Sequence, residues 1–88
     1  MAWSVEWSPE ARKNLKKLDP QVAREVLDYM DDIATGDPRR FGKPMRHQLR
    51  GYWRYRIGNY RAITKHYDDT LVIFAVKVMH RSKIYKDH

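Results

Sequence analysis

The sequence predicts an α+β domain in which an N-terminal strand and a helical hairpin pack on a mostly antiparallel four-stranded sheet. Three observations predict it. Trp3, Val5 and Trp7 alternate with polar neighbours, as in a half-buried strand. Two proline-led helix starts, Ser8-Pro9 and Asp19-Pro20, each precede apolar residues at helical spacing. The second half then holds three β-rich runs divided by Gly58-Asn59 and Asp68-Asp69-Thr70.

Each element follows from local chemistry. Ser8 offers a capping hydroxyl, Pro9 suits the first helical position, and Glu10 complements the positive helix end. In that helix Ala11, Leu15 and Leu18 make a narrow buried stripe, with Arg12, Lys13, Lys16 and Lys17 facing outward. Asp19-Pro20 ends it and starts a second helix, where Val22, Val26, Met30 and Ile33 recur with Tyr29 and Ala34 until Gly36. The segment 37–51 contains Pro38, Gly42 and Pro44 as breakers and reads as a long basic loop, with 47–49 adding a short edge strand. Strands are expected over 52–57, 60–67 and 71–79, the last a nearly continuous apolar run suited to a central position.

Composition bounds the class. At 88 residues, 42% of them hydrophobic, with three Trp, six Tyr and two Phe, the chain is expected to form one folded domain over 1–88. It has no cysteine, which excludes a disulfide framework, thiolate metal sites and a Cys nucleophile, and fits a cytoplasmic setting. The first residues show no apolar export signal and no run approaches a membrane span of about 20 apolar residues.

The net charge of +7 is unevenly spread. Residues 1–38 carry eight acids and five bases; residues 39–67 carry nine Lys or Arg and no acid; residues 68–88 add +1. A basic block of this kind points to a polyanion or an acidic protein segment as partner.

The stretch RYRIGNYR, 54–61, sharpens that expectation. If Gly58-Asn59 is a two-residue loop, Ile57 pairs with Tyr60, Arg56 with Arg61, Tyr55 with Ala62 and Arg54 with Ile63. Arg54, Arg56 and Arg61 then share a face with Tyr52, Ile63 and Lys65. Trp53, Tyr55, Ile57, Tyr60, Ala62 and Thr64 form the opposite face, suited to the helices. Clustered guanidinium groups match phosphate through paired hydrogen bonds, so the arginine face is expected to be an open phosphate platform.

RNA is a fitting substrate, because its 2′-hydroxyl can attack the adjacent phosphorus with no metal or cofactor. The protein then needs to hold the nucleotide in line, stabilise phosphoryl charge and assist proton movement. Tyr52, Tyr85 or Phe41 could stack bases. No phosphate-cradling Gly-rich loop, HExxH motif or nucleophile elbow is present, and His47, His66, His80 and His88 lack metal-ligand spacing. Each histidine is expected to be a surface or strand residue, and Asp68-Asp69 to cap a turn.

The pieces WSPEARKNLKKL, LRGYWRYRIGNYRAITKHYDD, LVIFAVKVMHR and RSKIY, in this order and spacing, resemble the RelE toxins of bacterial and archaeal toxin-antitoxin systems, within the RelE/ParE superfamily. The resemblance covers nearly the whole chain. It implies a toxin that enters the ribosomal A site, against 16S rRNA, cleaves mRNA there without a cofactor, and is inhibited by a cognate RelB-like antitoxin. Carried over by position, the catalytic set falls on Arg54, Arg56, Arg61, Arg81 and Tyr85, with Arg46, Arg50, Tyr52 and Lys65 as RNA-binding candidates. Well-known relatives carry lysines where Arg54 and Arg56 stand. Arginine effectively never deprotonates, so proton transfer falls to Tyr85 first and His80 second. Two other readings compete: a ParE-like toxin that poisons DNA gyrase, and a non-catalytic basic module that docks an acidic protein.

Overall fold

A computed structural model describes residues 2–84. The chain runs β1 (Ser4–Trp7), α1 (Pro9–Lys16), α2 (Pro20–Ala34), β2 (Lys43–Pro44), β3 (Trp53–Ile57), β4 (Tyr60–Tyr67), β5 (Val72–His80) and α3 (Arg81–Ile84). Single 3₁₀ turns occupy Pro38–Arg40 and His47–Leu49. The strands form one five-stranded sheet in the order β1-β5-β4-β3-β2, with β1 parallel to β5 and the other pairings antiparallel.

The α+β class stands, and the strand count is corrected. The short edge strand is Lys43–Pro44, opposite Arg54 and Trp53, whereas 47–49 coils. Proline is tolerated there because an edge strand can leave one side without a donor. The residues expected to extend instead turn back on themselves, with Leu49 N–H bonding Arg46 O and Arg50 N–H bonding His47 O. His47 takes φ +59° within that turn.

Both helix starts have the expected caps. The Ser8 hydroxyl accepts from Ala11 N–H at 3.0 Å and donates to Val76 O at 2.7 Å, so one side chain starts α1 and ties it to β5. Asp19 accepts from Gln21 N–H at 2.8 Å. Beyond Ala75, β1 no longer pairs with β5, and α1 protects the continuing edge as Val78 N–H donates to Asn14 Oδ1 at 3.0 Å.

Beneath the helices lies the core. Val26, Met30 and Ile33 from α2 meet Tyr55, Ile57, Ala62, Ile73 and Val78 from the sheet, with Trp3, Val5, Trp7, Leu15 and Leu18 packed around them. Fully burying such an aliphatic side chain contributes about 1.5–3 kcal/mol, which outweighs the weak helical preference of a helix as short as α1.

The β3–β4 hairpin has the expected register: Ile57 opposite Tyr60, Arg56 opposite Arg61, Tyr55 opposite Ala62 and Arg54 opposite Ile63. Gly58 adopts φ +58°, a backbone shape that costs an L side chain but not glycine. Gly42 serves by size: a Cβ there would lie 2.8 Å from the Tyr55 ring and 3.0 Å from Arg54 O. Between Ile63 and Thr64 the β4–β5 register shifts by one residue, so Thr64 faces Ala75 while Ile63 faces Lys77.

Candidate active site

The register lays the cationic side chains out in rows, because residues directly opposite across a sheet share a face. One row is Lys43, Arg54, Ile63 and Lys77; the next is Arg56, Arg61 and Met79. Lys43, absent from the residues expected at this face, thus stands directly across from Arg54. Its signal lay in the basic block, hidden by the reading of that segment as loop.

The face is less open than expected. Arg56 is exposed and Arg54 is half-buried. Arg61 is only 7% exposed, and its Nη1 donates to Gly58 O at 3.0 Å and Tyr60 O at 2.8 Å. Its guanidinium therefore braces the hairpin turn as well as facing the same side as Arg56. Ile63 beside it is 4% exposed.

The second candidate stretch is joined to this turn. Tyr60 lies opposite His80, and the Arg81 N–H donates to Asn59 O at 2.8 Å. Arg81 is exposed at the start of α3. Tyr85 lies outside the described residues. His80 sits edge-on to the Tyr60 ring at 5.4 Å.

The RNA-binding candidates separate. Tyr52 and Lys65 meet each other, with Lys65 Nζ 5.6 Å from the Tyr52 ring centre, so a cation already occupies the tyrosine face. Arg46 and Arg50 are exposed around a different depression of about 470 Å³, shared with Met45 and His47 in the segment before β3. Phe41 is 57% exposed.

At the far end of β4 a cluster escaped the sequence reading. Arg39 donates two hydrogen bonds to Asp68, at 2.6 and 2.7 Å, and lies 5.9 and 5.8 Å from the Trp3 and Trp53 rings. Asp68, in the turn where the sequence places it, is also the ion-pair partner of Arg39; that hydrogen bonding holds its carboxyl below the usual range. His66 lies between Trp3, Trp53 and Tyr55, with its Nε2 3.0 Å from the Tyr55 hydroxyl. The Tyr55 proton goes to Pro38 O at 2.9 Å, so His66 Nε2 must be the donor in that pair. Burial, reinforced by the Arg39 charge, pushes His66 down to about 4. Burial pushes the Tyr55 phenol up. Alternation gave the clue: Ala62 and Thr64 face the core, and His66 is the next residue on that side.

Among the described residues no three or more His, Asp or Glu side chains gather as a metal site, and no helix is long and apolar enough to cross a membrane.

A helical hairpin packed on a mostly antiparallel sheet is the fold this chain shares with solved RelE-type toxins. The chain belongs to the family of ParE toxins of type II toxin-antitoxin systems, whose family model matches residues 5–85. Among its curated relatives, toxin RelG of Mycobacterium tuberculosis is 31% identical over 86 residues, covering 98% of this chain and 99% of the relative. Toxin RelE of the same organism is 26% identical over 76 residues, covering 86% and 78%. The toxin-antitoxin complex RelBE2 of M. tuberculosis contains a chain with TM-score 0.86 and 30% identity, covering 93% of this chain and 94% of that one. The archaeal RelE–RelB complex of Pyrococcus horikoshii OT3 shares the fold at TM-score 0.72 and 24% identity, covering 94% and 99%.

Proposed function

We propose that this toxin is a metal-independent endoribonuclease that cuts mRNA in the ribosomal A site and so halts translation. The observation that carries the reading is the register that sets Arg56 directly across from Arg61, two residues from Arg54, on the face away from the helices. Guanidinium groups set opposite each other across the hairpin offer planar paired donors, the arrangement that matches the oxygens of a phosphodiester.

The reaction this supports is an in-line displacement. The 2′-oxygen forms a bond to phosphorus, the bond to the 5′-oxygen breaks, and the products are a 2′,3′-cyclic phosphate and a free 5′-hydroxyl. One proton leaves the 2′-hydroxyl and one reaches the departing oxygen. Arg54, Arg56, Arg61 and Arg81 supply the positive field for the phosphoryl oxygens, which gain charge in the transition state. They do not move protons. Tyr85 is the first choice for that task.

The partner reading follows the same charges. A cognate antitoxin, comparable to the RelB chains in the related complexes, would bring acidic or helix-covering segments to a chain of net charge +7. In the cell such a pair would reside in the cytoplasm, where ribosomes are.

The family model itself carries the name ParE, which favours gyrase poisoning as the second reading. One experiment separates the two. Purified protein is added to a translation reaction, mRNA ends are mapped, and gyrase-dependent DNA breaks are scored in parallel. Cuts at the codon in the A site, with cyclic phosphate ends, are expected. Intact mRNA beside broken DNA would replace this reading with the gyrase one, and neither lesion would leave a binding module.

A further inference from the structure

We infer that His80 is a positioning residue: its Nδ1 caps α3 and thereby fixes Arg81 beside the hairpin turn. The inference rests on the RNA-cleaving reading of this face, and it removes His80 from the proton-transfer candidates.

His80 is the last residue of β5 and immediately precedes α3. The Ser82 backbone N–H donates to His80 Nδ1 at 3.2 Å, and the Ser82 hydroxyl lies 2.9 Å from the same nitrogen. A backbone amide can only donate. Nδ1 therefore holds a lone pair, the hydroxyl also donates to it, and the ring proton of the neutral imidazole sits on Nε2. This is the geometry of an N-cap, with imidazole in the role usually taken by Ser, Asp or Asn.

Two further contacts make the cap a positioning device. The ring lies edge-on to Tyr60, and the backbone N–H of Arg81 donates to Asn59 O. The chain is thus held on both sides of Arg81, by the ring through Ser82 and by the turn through Asn59. That same turn is braced by Arg61 through Gly58 O and Tyr60 O. Arg81 and Arg61 consequently share one rigid base, which fixes where the Arg81 guanidinium begins relative to the arginine rows.

The same geometry opposes a proton-shuttle role. As a base, neutral His80 would have to accept at Nδ1, which the Ser82 donors occupy. As an acid it would start as imidazolium, whose Nδ1–H would face the Ser82 amide and undo the cap.

The test compares His80→Asn, His80→Gln and His80→Ala. Asparagine places its amide oxygen at the same reach from Cβ as Nδ1 and caps well; glutamine is one methylene too long and alanine offers nothing. Single-turnover cleavage of ribosome-bound mRNA should stay within a few-fold of wild type for Asn, with an unchanged pH–rate profile, and fall about tenfold to a hundredfold for Gln and Ala. Independently of activity, imidazole ¹⁵N shifts should show Nδ1 unprotonated. The Ser82 amide should exchange slowly in wild type and His80→Asn, and fast in His80→Ala. An Asn variant as inactive as Ala, with its Ser82 amide still protected, would overturn the inference by making the ring itself chemical. So would a protonated Nδ1 or an unprotected Ser82 amide in wild type. If wild type leaves mRNA intact, the proposed activity falls, and amide exchange still decides whether His80 holds α3.

Discussion

The two ends of β4 each place arginine beside aromatic residues, and they treat it in opposite ways. At the far end Arg39 is stacked over Trp3 and Trp53 and paired through two hydrogen bonds with Asp68. Near the tip, Arg56 and Arg61 oppose each other, and Arg81 is tethered to the turn between them. Arg39 opens the acid-free block 39–67, and Asp68 is the first residue after it. The chain therefore provides an acid at one end of the strand and none of its own within the block. Arginine at the far end, with its carboxylate and ring partners, serves packing; the opposed arginines at the tip are the ones proposed to meet a ligand.

The largest expected effect tests the packing end. Tyr55 is fully buried, touches His66, and donates to Pro38 O. Tyr55→Ala should cost about 3–5 kcal/mol of stability, read from urea unfolding, because it removes a large core side chain and deletes the phenol's hydrogen bond to the Pro38 carbonyl, which also accepts from the Phe41 N–H. A loss under about 1 kcal/mol would mean that the cluster does not hold the sheet to the loop.

Next comes the tip. Arg56 is exposed, so Arg56→Ala should leave stability within about 0.5 kcal/mol, while mRNA cleavage falls by about 10²- to 10³-fold through loss of phosphoryl stabilisation. The separation of the two readouts is the prediction. Arg61→Ala should lower both, since that side chain also braces Gly58 and Tyr60. Unaltered cleavage in Arg56→Ala would remove the tip from the active site.

The contrast also explains what could be read from the chain beforehand. Gly58-Asn59 between alternating strands fixed the register and the rows, because a two-residue turn leaves no freedom in which residues oppose. Local caps such as Ser8 and Asp19 were equally legible. What escaped depends on distant segments. Arg39 and Asp68 are 29 residues apart, and nothing local pairs them. Arg61 was placed on the correct face, yet its burial depends on what covers that face. Pro44 read as a breaker, although at a sheet edge it is compatible with pairing. The His80 cap was hidden because imidazole is an uncommon capping group.

A pH titration sharpens the packing end further. His66 lies lower folded than the ordinary 6.5, at about 4, so the unfolded chain takes up a proton more readily. Its contribution is fully present above about pH 6.5, declines as pH falls toward about 4, and changes no further below that. Arg39 reinforces the depression, while Asp68 and Asp37 oppose it. Asp68, itself depressed by Arg39, loses its contribution only at lower pH, through the acidic range of a carboxylate. Urea midpoints measured between pH 8 and pH 4 should therefore drop for wild type, and His66→Phe should flatten that drop. Equal slopes would show that His66 is not held neutral.

The smallest effect compares the turns that close the two ends. Gly58 and Leu71 both adopt left-handed backbone, at φ +58° and +54°, but only Gly58 does so without a steric penalty. For an L residue that conformation costs about 1–2 kcal/mol. Leu71 nevertheless holds the position because its carbonyl accepts the Ser4 N–H at 2.8 Å, which starts the parallel pairing of β1 with β5. Gly58→Ala should lose about 1 kcal/mol. Leu71→Gly should gain less than about 1 kcal/mol, since relief of strain is partly offset by unfolded-state entropy and by the lost contacts of a half-buried side chain. Opposite signs at the two turns, measured by the same urea titration, are the expected result. A loss at Leu71 as large as that at Gly58 would mean that its side chain, rather than its backbone, holds β1 in place.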